Sequence, residues 1–369
     1  MTRLLWRTTI LALAFALASG LALAQGRIAN AKTETRAVAQ SLEQEVRSVA
    51  ARGGVTWIGY RAPMVAGPRQ MCCYDTIASA SSGGCCGQCR LEGGSGVTMS
   101  QTDSRVSLEP PTELIVLARV DGRAGIQPGD VVSRIRTFTP DCDIDAAGMP
   151  LVWLNDVKPD DSVAWLTTLV RSAPVTGDPH ERVAKPALAA IAMHNVAAAD
   201  RALEGFISAN RDEWIRSETA FWLGNSRGET GARLLARLVT QDPSEEVREK
   251  AVFGLSLSKE PAALTTLLAT ARNDTSTRVR GRALSWLAHT AGQQAVAAIT
   301  GAIDNDPETE VKKKAVFALS QLPKDEGVPL LIQVARANKN AEVRKQAMFW
   351  LGQSKDPRAV KFFEDILTK

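Results

Sequence analysis

The chain has 369 residues, 45% hydrophobic, 23% charged and 5% aromatic, an ordinary globular balance that excludes disordered, collagenous and coiled-coil classes. Its 44 basic and 40 acidic residues leave a formal charge of +4, too even for electrostatic capture of nucleic acid, and so few aromatics argue against a stacking platform for single strands. The length suggests two domains, each able to bury a core.

In chain order, Arg3 and Arg7 precede a mostly apolar stretch from Thr8 to Leu21, and Ala22-Leu23-Ala24 offers a small-x-small cleavage site before Gln25. That pattern predicts a secretory leader over 1–24. No cysteine follows the cleavage site, and no later segment is apolar for long enough to span a bilayer. Val38, Leu42, Val46 and Val49 predict a short amphipathic helix within 28–51. Val55–Tyr60, Glu113–Val120 and Asp130–Phe138 read as strands, the last two joined around Asp121-Gly122. A small cysteine-rich α/β domain is therefore expected over 25–154. A helix from Asp160 to Ser172, capped by Asp160 or Asp161, turns Trp165, Leu166, Leu169 and Val170 inward. With the linker to 180, it is expected to cover the exposed end of the repeats that begin at Glu181.

The six cysteines are Cys72, Cys73, Cys85, Cys86, Cys89 and Cys142. An even count in an exported chain predicts structural disulfides, with connectivity open. Two alternatives compete. Cys86-Gly87-Gln88-Cys89 has the spacing of a thiol–disulfide oxidoreductase site, but Gly-rich segments stand where a strand and a helix are needed. The Cys72–Cys89 cluster also has thiolates enough for a metal, which an oxidising compartment disfavours. Arg90 after Cys89 excludes covalent haem attachment. Asp141, Asp143 and Asp145 open like a calcium loop, yet Ala146 and Val152 occupy the positions needing glycine and glutamate, so a surface turn is expected. His180, His194 and His289 have no metal-ligand spacing, and no phosphate loop, dinucleotide fingerprint or nucleophile elbow is present. No catalytic residue, metal or cofactor is assigned.

From Glu181 onward the sequence repeats every 32 residues. One apolar column is Val183, Ile215, Val247, Val279, Val311 and Val343. A second is Ile191, Leu223, Leu255, Leu287, Leu319 and Leu351, and a third Leu203, Leu235, Leu267, Ile299, Leu331 and Phe363. Each unit reads as two short helices that cannot bury both faces alone, so six units stack as an α-solenoid over 181–369. The fold class is thus mainly α, a solenoid of six helical hairpins behind the cysteine-rich α/β domain.

Within each unit, Asp242-Pro-Ser-Glu-Glu-Val247-Arg248 recurs at Asp274 to Arg280, Asp306 to Lys312 and Asn338 to Arg344. This pattern resembles the HEAT-repeat signature, and the period resembles the short HEAT-like repeats named after bilin lyases. Trp222-Leu-Gly and Trp350-Leu-Gly echo tetratricopeptide repeats, which need a longer period and a tyrosine missing here. The resemblance implies an inter-repeat ladder of Asp242, Arg248, Asp274, Arg280, Asp306, Lys312 and Arg344, the acids also capping the next helix. With the Ala/Leu-rich leader it implies an exported bacterial protein, periplasmic or secreted.

Two further columns are candidates for a partner surface. Phe221, Phe253, Phe317 and Phe349 share one position, next to a column alternating Trp222, Gly254, Trp286, Ala318 and Trp350. They read either as inter-repeat core or as an aromatic binding stripe. Thr240, Arg272, Asp304 and Arg336 share a polar position on the second helices, where variable chemistry can carry specificity or be plain surface. The expected function is a non-catalytic scaffold or adaptor for a protein or peptide partner in the periplasm. The alternative is a thiol redox or metal-binding protein.

Overall fold

A computed structural model describes residues 28–66, 89–92, 110–122, 131–140, 144–290 and 292–368. The leader and five of the six cysteines, together with the Cys89 side chain, lie outside the described residues.

The N-terminal part is built on a five-stranded sheet. Its strands are β2 (Lys32–Ala37), β3 (Gly54–Pro63), β5 (Glu113–Gly122), β6 (Val132–Phe138) and β8 (Pro150–Asn155), in the order β2-β8-β3-β5-β6. β3, β5 and β6 form antiparallel pairs, whereas β8 enters between β2 and β3, parallel to both. Residues alternate faces with the period of a strand. Leu114, Val116, Ala118 and Val120 join the main core with Ile58 and Tyr60, while Ile115 and Leu117 join a smaller cluster with Trp57 and Leu151. That second face is covered by three short paired strands, β1 (Ile28–Ala29), β7 (Ile144–Asp145) and β4 (Cys89–Arg90). Gly59 lies where a Cβ would sit 2.9 Å from both Leu117 and the Trp153 ring, so β3 and β8 approach there only without a side chain.

Two expectations need correction. Helix α1 covers Leu42–Ala51, burying Leu42, Val46 and Val49, but the residues before it form β2. That strand is a polar edge, exposed at most positions, so it carries no apolar alternation to read. Helix α2 spans Pro159–Ser172 and buries Val163, Trp165, Leu166, Leu169 and Val170, yet its N-cap is Lys158 with no side-chain cap bond. Pro159 supplies the first-turn geometry, and Asp160 and Asp161 act through the helix dipole instead.

A π-helical turn (His180–Ala184) leads into twelve α-helices paired as hairpins. The first helices of the units are α3 (Lys185–Met193), α5 (Glu213–Ser226), α7 (Glu245–Leu257), α9 (Thr277–Thr290), α11 (Thr309–Gln321) and α13 (Ala341–Gln353). The second helices are α4 (Ala197–Phe206), α6 (Gly228–Gln241), α8 (Pro261–Asn273), α10 (Gln293–Asn305), α12 (Lys324–Ala337) and α14 (Pro357–Leu367). The three apolar columns are buried throughout, except that Phe362 rather than Phe363 fills the last place. First helices touch one another more extensively than second helices do. The closest approach is between α5 and α7, where a Cβ on Gly224 would lie 1.9 Å from the Gly254 carbonyl oxygen. The stack therefore bends with its first helices on the concave side.

Sheet and solenoid share one core. α2 packs on α1, α3 and α4, and α3 packs on β5 and β6. The Val65 amide donates to the Met193 carbonyl at 2.9 Å and the Asn195 amide to the Pro63 carbonyl at 2.8 Å. Beside this seam runs a buried polar chain. His194 Nδ1 lies 2.7 Å from the Ala190 carbonyl oxygen, so it carries the proton and donates. Nε2 then accepts from Ser162 Oγ at 2.9 Å, and Ser162 Oγ accepts from the Tyr60 hydroxyl at 2.7 Å. Burial pushes the Tyr60 hydroxyl up, against the opposing effect of its hydrogen bond with Ser162.

Burial also holds the His194 imidazole below its ordinary value, with Arg227 adding to the effect and the Ala190 carbonyl opposing it. His180 shifts the same way, again chiefly by burial. The unfolded chain therefore binds more protons than the native one as pH falls through about 6.5. Stability is full above that value and drops below it, by at most about 1.4 kcal/mol per pH unit for each histidine. Urea midpoints measured from pH 8 to pH 5.5 should show this drop, and His194→Gln should flatten it by about one proton. Glu218, whose burial pushes its carboxyl up, acts in the opposite sense at lower pH.

Candidate functional site

The repeated Asp and Arg side chains meet between units. Arg216 donates to Asp242 through Nε at 2.7 Å and Nη2 at 3.2 Å. Arg248 holds Asp274 at 3.0 and 3.2 Å, and Arg280 holds Asp306 at 2.8 and 3.0 Å. The remaining nitrogen reaches back to the arginine's own turn: Arg248 Nη1 donates to the Asp242 carbonyl at 3.0 Å, and Arg280 Nη1 to that of Asp274 at 2.8 Å. Each guanidinium thus bolts two successive inter-unit turns together. These pairs are nearly dry, with the Arg216 and Asp242 side chains 7% and 1% exposed.

The acids do not cap the following helices directly. The Asp242 carboxylate accepts from the Ser244 amide at 2.9 Å, and Ser244 Oγ is the true N-cap, accepting from the Val247 amide at 3.3 Å. Asp274 and Ser276 repeat the device. An aspartate two residues before the cap fixes an Asx turn and so aims the serine. The ladder also stops short of the expected Lys312 and Arg344. Lys312 donates to the Asp304 carbonyl at 3.0 Å, and Arg344 to the Asn338 carbonyl at 2.8 Å. Asn338 stands where a fourth acid would complete the rung.

The aromatic columns line the concave side. Phe221 stacks on Phe253 with centroids 6.0 Å apart, and Phe253 lies 5.0 Å from Trp286. Further along, Phe317 and Phe349 each lie 5.0 Å from the Trp350 ring. Only Trp222 is fully buried; Phe221, Phe253, Trp286, Phe317 and Trp350 are half-buried and Phe349 is 54% exposed. The row is therefore neither plain core nor free surface: its rings pack against one another across units while remaining only half-buried. In the second-helix column, Thr240, Arg272, Asp304 and Arg336 are all exposed. Thr240 bonds to carbonyls of its own helix, and Arg336 reaches Asp365 at 3.4 Å while covering the Phe362 ring. The structure gives those four no common target.

The 32-residue period contained a signal that the motif reading passed over. Three residues after each member of the first column from Ile215 onward come Glu218, Lys250, Arg282, Lys314 and Gln346, on the same helix face as the aromatic row one turn later. Lys250 and Arg282 are exposed and Lys314 half-buried.

Of the cysteine cluster, only the Cys89 backbone is described, paired with Ile144. Among the described residues no three His, Cys, Asp or Glu side chains converge as metal ligands, and no helix is long and apolar enough to cross a membrane. In the calcium-like segment, Asp145 accepts from the Ala147 amide at 2.9 Å and from Asn30 at 3.1 Å, contacts that hold its carboxyl below the usual range. Asp141 and Asp143 lie outside the described residues. His289 is exposed, while His180 packs edge-on against Trp214.

A family model described as HEAT repeats matches residues 199–288 and 296–369. None of the curated proteins compared matches the chain. Among solved structures, the chain is similar to an engineered protein at 19% identity and a TM-score of 0.28, covering 55% of this chain and 66% of that one. It is similar to human deoxyhypusine hydroxylase in complex with glycerol at 15% identity and a TM-score of 0.24, covering 56% and 89%. It is also similar to the complex of CpcE and CpcF of phycocyanin lyase from Nostoc, at 21% identity and a TM-score of 0.31, covering 42% and 99%. The chain thus spans just under two thirds of the engineered protein's length.

Proposed function

We propose that this chain, with HEAT repeats over most of its C-terminal half, is a non-catalytic scaffold that holds a protein partner in the bacterial periplasm. One observation carries the reading: after the units have packed, a row of aromatic rings remains only half-buried along five consecutive first helices. A solenoid's extended inner surface is suited to gripping a partner. A row of partly exposed apolar rings favours a partner that covers it. The leader at 1–24 and the even cysteine count support export and a disulfide-bonded loop region.

The test uses the full-length chain expressed in a bacterium with a photo-crosslinking residue at Gln321 on the concave side or at Arg272 on a second helix. The shock fluid should contain a protein lacking residues 1–24, with six cysteines that alkylate only after reduction. Irradiation should give a discrete adduct from Gln321. Retention in the cytosol, or thiols reactive without reduction, would remove the periplasmic part of the proposal. Failure of both positions to give an adduct would remove the scaffold.

A further inference from the structure

We propose that the concave side binds an extended acidic peptide segment, whose carboxylates at every third residue meet Lys250, Arg282 and Lys314 and whose apolar side chains lie along Phe253, Trp286 and Phe317. This rests on the scaffold reading and deepens it by naming the partner's chemistry.

Three observations lead there. First, among the described residues Lys250, Arg282 and Lys314 make no ion pair, Lys250 having only the largely buried Glu218 carboxyl of the preceding unit in electrostatic reach, and several acids flanking the column are engaged by other cations. Glu310 pairs with Lys313 at 2.9 Å, Glu342 with Lys345 at 3.0 Å, and Glu249 with Arg278 at 2.9 Å. Second, Lys314 is held across the neighbouring helix: a Cβ on Gly281 would lie 2.1 Å from its Cδ. The missing side chain at Gly281 lets the Lys314 stem lie over α9 at the residue before Arg282. Third, the rows order the surface. The aromatic row lies one turn beyond the basic row, and beyond it Asn225, Leu257, His289, Gln321 and Gln353 carry no acid.

Geometry sets the spacing of the partner. Helices stack about 8–10 Å apart, and one turn of an extended polyproline-II segment, three residues with about 9 Å of rise, returns a side chain to the same side. A segment crossing the first helices therefore presents one side chain in three to successive units. A carboxylate in that place answers the cation of each unit, and an apolar neighbour falls on the ring one turn along. A nucleic acid fits less well. Three cations release few counterions on meeting a phosphate backbone, whereas the half-buried ring row beside them suits a chain that also carries apolar side chains.

The test is fluorescence anisotropy on the leaderless chain with a labelled peptide of about twelve residues, repeating Gly-Asp-Leu. Matched probes carry Asn for Asp, or the same residues with Asp at every second position. The Gly-Asp-Leu probe should bind, with the Asn and respaced probes at least about tenfold weaker. Reversing the row in Lys250→Glu/Arg282→Glu/Lys314→Glu should weaken it by about the same factor. The variant Arg201→Glu/Arg233→Glu/Lys361→Glu, which changes net charge equally on second helices, should bind within about twofold of the parent. If the first triple variant loses its helical circular dichroism, Arg282→Gln alone decides, with a drop of about threefold or more expected. Equal binding of the Asp and Asn probes, equal loss in both triple variants, or tighter binding of oligouridylate than of the acidic probe would overturn the proposal. So would no binding of the acidic probe. A Gln321 adduct in cells without acidic-probe binding removes this inference and leaves the scaffold standing; no adduct from either position removes the scaffold itself.

Discussion

Asp242→Ala is expected to lower the unfolding free energy by about 3–5 kcal/mol, because it strands a buried guanidinium that cannot shed its charge. Arg216 and Asp242 are almost fully out of water and joined by two hydrogen bonds. The substitution also removes the acceptor that aims the Ser244 cap. Urea unfolding followed by circular dichroism should show the midpoint fall and the transition broaden, since coupling between units is what makes a repeat stack unfold together. Asn338→Ala, at the position where the ladder lacks its acid, should cost about 1 kcal/mol, the worth of one turn hydrogen bond. Arg216→Met with Asp242→Leu should recover most of the loss, since removing both charges also removes the desolvation they carry. A loss below about 1 kcal/mol for Asp242→Ala would mean the ladder contributes geometry without stability.

Gly224→Ala should be the next most damaging change, at about 1–3 kcal/mol. Its Cβ would meet only backbone, 1.9 Å from the Gly254 oxygen and 2.8 Å from the Gly254 Cα, so no side chain can rotate away and the two helices must part. Gly254→Ala presses from the other side, 2.3 Å from the Ala220 oxygen. The double variant should cost less than the sum, because the first separation already makes room for the second. Gly352 occupies the same repeat position, but a Cβ there meets nothing within 4 Å. Gly352→Ala should therefore be neutral, or stabilise by up to about 1 kcal/mol through helix propensity. Thermal melts of the four variants would settle whether close helix approach, rather than glycine itself, is what the site needs.

The solenoid was legible because its evidence is redundant: columns such as Val247, Val279 and Val311 state the same packing requirement in every unit. The rungs at Arg248 and Arg280 were legible for the same reason, whereas the Ser244 and Ser276 caps were hidden behind the more prominent aspartates. β2 was illegible because Lys32–Ala37 is a polar edge whose stability comes from pairing with β8, a partner more than a hundred residues away. β8 itself escaped notice for the complementary reason. Pro150–Asn155 is buried at three of six positions in a short apolar run, which by pattern alone is no different from a loop docking on a core. The basic row at Lys250, Arg282 and Lys314 was present in the period, but its meaning depends on which face the packing leaves open. That is a property of neighbouring helices, not of one unit.

The central place of β8 also sets the order in which the molecule can form. β2 and β3 are made early, yet the strand that must slide between them comes only at Pro150–Asn155. Until then they have no completed sheet to join, and β2, β3 and the chain between them must wait with unpaired edges. Each hairpin of the solenoid, by contrast, closes on residues only a few positions apart and can settle as it emerges. The sheet can thus close only once Asn155 has been made, shortly before the first hairpin begins at Lys185. The shared seam at Val65 and Asn195 then docks the first hairpin of the growing solenoid onto that sheet.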